Sequence, residues 1–579
     1  MPSLYSPAQV LPLLIIESIA SYMPVLPNVM LPMMNGLRSK VKQPPLLPLM
    51  GTCRQWRSIV CPLFYCSALL EFDGNKEFHK KNTSVIRLSD VIATGNHKHI
   101  RQLQISINTL GFADTEKAIK DIKAALDQGG PLHTIHEVTL LVDCRSTSYH
   151  PYTFQESEDT EFDTELVDAT LAQYAQLFDK LLPNRRIMTM HRARPLCYLS
   201  ETSKAVYAQV NLFIHNLLGT ALGHLSLHQF SVTKPIVKQL EASALRRISI
   251  AHHKGSQQHL ELIRRNYKCL EFLRIDHATS HAIEKLTWLE KKAGTLVYPQ
   301  LKKLYISSCS GRRNIAHSHH NQDPFPALEV LVCRGHFPFS SPLILQQGRS
   351  HIRVLKIDMD HELMSILDEH KVLAPGSFKV LDVVILGWSV RNNAPVSDHA
   401  NALFLKALSI ATSPQQVLIH NLHIYDVEAS LLSKVNFTNP LQVLDLEGTT
   451  LTMAQAIKLL CGFKRLDRAN LCIKDDNVQH TTRMPMANEI QEYQAQFKGY
   501  SSSVRLLGID RAYYTNSRRK AEYIVLMTSI LTSVQIVHIG SVNISRAGSI
   551  LGRINLVLKR SMYKDCDQVK SVKYSIGSF

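Results

Sequence analysis

Leu301-Lys302-Lys303-Leu304-Tyr305-Ile306 decides how this chain is read: an apolar residue, two variable ones, an apolar residue, one variable, then a third apolar residue. The phrase returns as Leu270-x-x-Leu273-x-Ile275, Ile352-x-x-Leu355-x-Ile357, Phe378-x-x-Leu381-x-Val383 and Leu441-x-x-Leu444-x-Leu446. Weaker copies begin at Ile100, Ile135, Leu222, Leu245, Leu328, Val504 and Val534. Between the copies that start at Leu222 and Phe378, successive starts lie about 23 to 31 residues apart, a period typical of stacked repeats that each carry one strand. The second and third apolar positions are two apart, so on a strand they point to the same side. Helical spacing fills the gaps. Ala402, Leu405, Ala407 and Leu408 form one face before a strand at 416–419, and Met453, Ala456, Ile457 and Leu460 form another after Leu446. Strand, helix, strand gives parallel pairing, and neither element buries its apolar side alone. The expected fold is α/β: a solenoid whose parallel sheet takes one strand from each repeat.

Working outward, length and composition agree with an elongated array. A chain of 579 residues exceeds what one hydrophobic core can organise. Its 45% hydrophobic and 20% charged residues match an ordered globular protein. Eleven scattered cysteines include no C-x-x-C pair, a pattern that suits reduced thiols in cytoplasm or nucleus rather than a disulfide framework or a zinc site. The net charge of +17 is spread out: Arg246–Arg247, Arg264–Arg265, Arg312–Arg313 and Arg518–Lys520 lie far apart, with few aromatics between them. A nucleic-acid groove interleaves basic and stacking residues on one surface, so the pattern argues against nucleic acid as the partner. The apolar start, 10–34, contains Glu17, Pro24, Pro27 and Pro32, and no Lys or Arg precedes Arg38. It fits neither a signal peptide nor a membrane span, and a soluble protein without a membrane partner is expected.

Two regions interrupt the array, near 145–220 and 474–503. The first has an acidic stretch at 156–168 leading into an amphipathic helix at about 166–182; the second is a polar insertion between two strand phrases. Residues 8–70 lack the phrase and read as short helices, which sets a first module at 1–70 and leaves 71–579 to the array. Leu49, Cys53, Trp56 and Val60, spaced four, three and four apart, make one apolar stripe.

The repeated phrase resembles the leucine-rich-repeat superfamily, especially its long-repeat, ribonuclease-inhibitor-like branch, over roughly residues 95–550. That family places Asn or Cys three residues beyond the last strand apolar position, and Asn108, Cys309 and Thr449 stand at such positions here. Leu11-Pro12 followed by Leu13, Leu14, Ile15 and Ile16, with Cys53-Arg54-Gln55-Trp56-Arg57 further on, resembles an F-box. The resemblance implies a small helical module that docks on a Skp-family adaptor and so joins a cullin–RING ubiquitin ligase. It implies adaptor contacts from Leu11, Pro12, Leu13 and Ile16, and a module core built on Cys53 and Trp56. The other reading of the same residues is a cap on the open end of the array, which repeat proteins need.

The catalytic and cofactor motifs are missing. The sequence holds no Gly-x-Gly-x-x-Gly, Walker-type loop, His-Glu-x-x-His or Gly-x-Ser-x-Gly. His317, His319, His320 and His336, with Cys309 and Cys333, lack the paired spacing of zinc ligands. The expectation is a non-enzyme with no metal and no cofactor. Binding then falls to the residues between the apolar positions, on the open side of the strands: Phe272, Arg274, Lys303, Tyr305, Arg334, Lys356, Asp358 and Asp382, followed by Asp445 and Glu447. They form a ladder that is aromatic and basic first and acidic later, suited to a protein target whose identity the residues do not specify.

Overall fold

In four of the five strong copies of the phrase, all three apolar residues are 2% exposed or less. The seven weaker copies are buried as well. The computed structural model describes residues 54–71, 86–108, 115–143, 173, 176–192, 218, 222–228, 230, 232, 234–241, 244–251, 257–278, 285–289, 294–308, 322–335, 343–359, 361–388, 397–420, 440–474, 487–509, 517–539, 544–559 and 570–576. The chain divides into two units, Met1–Ile275 and Asp276–Phe579.

The first unit carries seven parallel strands paired in chain order: β1 (Ser67–Glu71), β2 (Gln102–Asn108), β3 (Glu137–Asp143), β4 (Ile187–Arg192), β5 (His224–His228), β6 (Arg247–Ala251) and β7 (Phe272–Ala278). A short antiparallel pair follows, β8 (Trp288–Leu289) with β9 (Gly294–Thr295). The second unit carries ten more parallel strands, again in chain order: β10 (Lys303–Ser308), β11 (Val330–Arg334), β12 (Val354–Met359), β13 (Val383–Trp388), β14 (Gln416–His420), β15 (Val443–Thr452), β16 (Arg468–Lys474), β17 (Leu506–Ile509), β18 (Ile536–Ile539) and β19 (Lys573–Ile576). A solenoid-like α/β architecture with one parallel strand per segment is therefore what the chain forms.

A repeated backbone device pins the register. The carbonyl just before most of the strands accepts two consecutive N–H groups from the next repeat. Arg101 O takes those of His136 and Glu137, and His136 O those of Arg186 and Ile187. In the second unit Lys302 O takes Glu329 and Val330, Glu329 O takes Arg353 and Val354, and the series runs on to Arg505 O with Gln535 and Ile536. A one-residue slip would send every buried aliphatic to the opposite face and misplace both donors.

Helices cover the buried side. Met453–Gly462 lies against β15 and β16, and Ser397–Ser409 against β13 and β14. Met453, Ala456, Ile457, Leu459 and Leu460 are buried, as the spacing requires. Thr452 caps that helix reciprocally: Gln455 N–H donates to Thr452 Oγ1 at 3.2 Å, and Thr452 N–H donates to Gln455 Oε1 at 2.8 Å, an arrangement that satisfies two donors the helix leaves open. In the other helix Phe404, Ala407 and Leu408 are buried while Leu405 is half-exposed.

Three sequence expectations need correcting. The phrase at Phe378 is read three residues early. Val384 and Leu386 pair with Leu355 and Ile357 and are fully buried, whereas Val383 faces out. Residues 8–70 are not all helical, since Ser67–Glu71 pairs in parallel with β2. The interruption at 145–220 contains a repeat of its own, β4, whose first apolar position is taken by the buried Arg185, paired with Asp179. To the polar region 474–503 the structure adds a helix, Ala487–Gln496. Among the described residues no helix is long and apolar enough to cross a membrane.

Candidate functional site: the open face of the sheet

Strand alternation sends one set of residues under the helices and the other set outward. In the first unit the central outward row is polar. Gln104, Thr139, Thr189, Ser226, Ser249 and Arg274 align across β2 to β7. One row further along, His191 and His228 stack with ring centroids 3.9 Å apart and planes 11° from parallel. Burial, and then the neighbouring His228, push His191 down to about 4. His224 is lowered by burial and by Arg247. Ser226 Oγ lies 3.1 Å from His228 Nε2.

The second unit differs in kind. Its first outward row runs Lys303, Val330, Val354, Val383, Gln416, Val443 and Arg468, and its second runs Tyr305, Val332, Lys356, Ile385, Leu418, Asp445 and Asn470. Aliphatic residues predominate in the middle of both rows, interrupted by Gln416 in the first and Lys356 in the second, and each aliphatic is half-exposed. Lys303 and Arg468 stand exposed at the two ends of the first row. Asp445 and Asn470 close the second row as a buried pair, with Asn470 Nδ2 donating to Asp445 Oδ1 at 2.8 Å.

The residues expected to form the binding face divide as follows. Phe272, half-buried, and Arg274, exposed, lie on β7. Lys303, Tyr305, Arg334, Lys356 and Asp358 occupy outward positions of β10, β11 and β12 in the second unit. Asp358 accepts the Gly335 N–H at 2.7 Å. Asp382 does not join that face. It precedes β13 and accepts from Arg353 Nε and Nη2 at 2.8 and 2.6 Å, a consequence of the three-residue register shift. Trp56 is 4% exposed in the helix Arg54–Phe64, one turn before the buried Val60. Leu11, Pro12, Leu13, Ile16 and Cys53 lie outside the described residues. So do the clustered histidines 317, 319, 320 and 336 and Cys309, and of that group Cys333 alone is described, fully buried with its thiol pushed up by burial.

What the sequence reading passed over is the aliphatic middle of these rows. Val330, Val332 and Val354 occupy positions the phrase leaves variable, Val383 and Ile385 do so in the corrected register of β13, and Leu418 lies on β14, a strand expected without the phrase. A signal for them was present. The strands Val-Leu-Val-Cys-Arg and Val-Val-Ile-Leu-Gly-Trp are nearly continuous apolar runs, the pattern of parallel strands covered on both sides. Here helices cover one side, and the outward aliphatics keep partial contact with solvent. Such a surface is suited to burial against another molecule. Among the described residues no group of three or more His, Cys, Asp or Glu is placed to hold a metal. In comparisons with known proteins, the chain matches no family model and no curated sequence.

Proposed function

We propose that the chain is a non-catalytic protein-interaction protein, the substrate-recruiting subunit of a cullin–RING ubiquitin ligase. In this reading it is an F-box protein with leucine-rich repeats. The amino-terminal module engages a Skp-family adaptor through Leu11, Pro12, Leu13 and Ile16, and the repeat array selects a protein target. The single observation that carries the recruiting role is the half-exposed aliphatic stripe on the open face of the second unit. The F-box-like residues support the ligase connection by resemblance. The chain itself would supply no reacting group and would act by bringing its target near a charged ubiquitin-conjugating enzyme.

Co-purification tests this. The full chain is expected to retain a Skp-family adaptor, and Leu11→Asp with Leu13→Asp is expected to abolish retention without lowering the melting temperature. Failure of the unsubstituted chain to retain any adaptor defeats the ligase reading. A second reading then stands, a ligase-independent scaffold whose first module is a cap. It is favoured by the way the helix Arg54–Phe64, with Trp56 and Val60 buried, runs straight into β1 and touches the His97–His99 turn. A cap predicts that removing residues 1–53 lowers the melting temperature and leaves target binding intact.

A further inference from the structure

We propose that the open face of the second unit receives an amphipathic α-helix whose flanks are acidic. The inference rests on the reading of that face as the target-binding surface and names the chemistry of what binds there. Three observations carry it.

The first is the shape of the apolar surface. From Val330 on β11 to Val443 on β15 the stripe crosses four strand spacings, about 19 Å, which matches the length of about thirteen helical residues. The second is periodicity. Neighbouring strands lie about 4.8 Å apart and a helix advances about 5.4 Å per turn, so one apolar side chain per turn drifts only about 2 Å against the strand rows over the stripe. An extended segment repeats its same-side residues at about 6.7 Å and drifts more than three times as far.

The third observation is charge. The carboxylates on or beside the stripe are already met by groups of the chain: Asp358 by Gly335 N–H, Asp382 by the Arg353 guanidinium, and Asp445 by the Asn470 amide. Lys303 and Arg334 stand exposed at one end, and Arg468 at the other is exposed with its Nε 3.6 Å from Asp467 Oδ2. A ligand with an aliphatic face and carboxylates on its margins complements both features, and like-charged flanks would be repelled.

The test is selection of random 15-residue peptides, displayed on phage, against the immobilised full chain. Recovered sequences are expected to carry apolar residues at i, i+3 or i+4, and i+7, to be net acidic, and to be enriched at least ten-fold over recovery on the Val354→Thr/Ile385→Thr variant. Threonine keeps strand propensity, and an unchanged melting temperature shows that the variant is folded. In the Lys303→Glu/Arg468→Glu variant, which leaves the aliphatic rows intact, the preference for acidic flanks is expected to disappear. Peptides with alternating apolar residues, or with basic flanks, overturn the helix inference and leave the face as a binding surface. No enrichment over the threonine variant overturns the face as well. A dimer in light scattering that the threonine variant abolishes identifies a second copy as the occupant and also overturns the inference.

Discussion

His191 shows how one outward side chain couples this sheet to pH. Its ring stacks on His228, and burial first, then that neighbour, hold it near 4 against an ordinary 6.5. Between those values the unfolded chain binds a proton that the folded chain refuses. Stability is therefore complete above pH 6.5 and is lost as pH falls toward 4. With the exposed part of the ring discounted for solvent screening, the loss is on the order of 1 kcal/mol. His191→Phe keeps a ring in the stack, so its urea midpoint should drop less than the parent's between pH 7.5 and pH 5. An equal drop would place the sensitivity elsewhere. The Asp445–Asn470 pair makes a second residue-scale prediction. Asn470→Ala removes a hydrogen bond to a buried carboxylate and should cost about 2 kcal/mol in chemical denaturation. Replacing both residues by Val extends the aliphatic rows beside them and should recover most of that loss, since no unpartnered carboxylate remains.

Among the elements, packing at helix ends is the most exacting. Gly348 closes the short helix Leu343–Gly348, and a methyl group there would overlap Ile352 Cδ1 and lie 2.9 Å from its Cγ1. Ile352 is fully buried and has little room to give. Gly348→Ala should cost about 1 to 3 kcal/mol by overpacking. Adding Ile352→Val removes the overlapped Cδ1, so the double variant should be less destabilised than the two single losses added together, a result thermal unfolding can read directly. This scale also shows how far the sequence could be read. Strands were legible wherever three large aliphatics kept the 3–2 spacing, as at Leu270, Leu301, Ile352 and Leu441, because core volume there tolerates little else. They were illegible where a different residue solves the same packing problem. Arg185 fills the first core position of its repeat and bonds its own helix end through Leu182 O, and β16 places the small Ala469 between Leu466 and Leu471. At β13, Phe378, Leu381, Val384 and Leu386 offer two overlapping phrases. Only pairing with β12 chooses between them, and the earlier choice misplaced Val383 and Asp382. That error hid the stripe, since Val330, Val354 and Val383 align only in the register the backbone adopts.

At the largest scale, the governing consequence of stacked repeats is that within a unit each repeat packs mainly on its neighbours in sequence. In a compact core a deletion at the centre is felt everywhere, whereas in an array it weakens the nearest repeat interfaces and fades with distance. Leu355 sits at 0% exposure in β12, between Leu331 of β11 and Val384 of β13. Leu355→Ala removes buried methyl groups and leaves a cavity, which should cost about 2 to 5 kcal/mol locally. Hydrogen exchange read by mass spectrometry should then show the largest loss of protection in β11, β12 and β13, a smaller loss in β10 and β14, and little change at β17 and β18 within the same unit. Uniform loss across β10 to β19 would mean that the ten strands open as one cooperative block. The expected gradient bears on binding as well. A helix laid across β11 to β15 would tie five repeats together, and protection should rise over those five strands when such a ligand is added to the parent chain, with the Leu355→Ala variant regaining most of what it lost there.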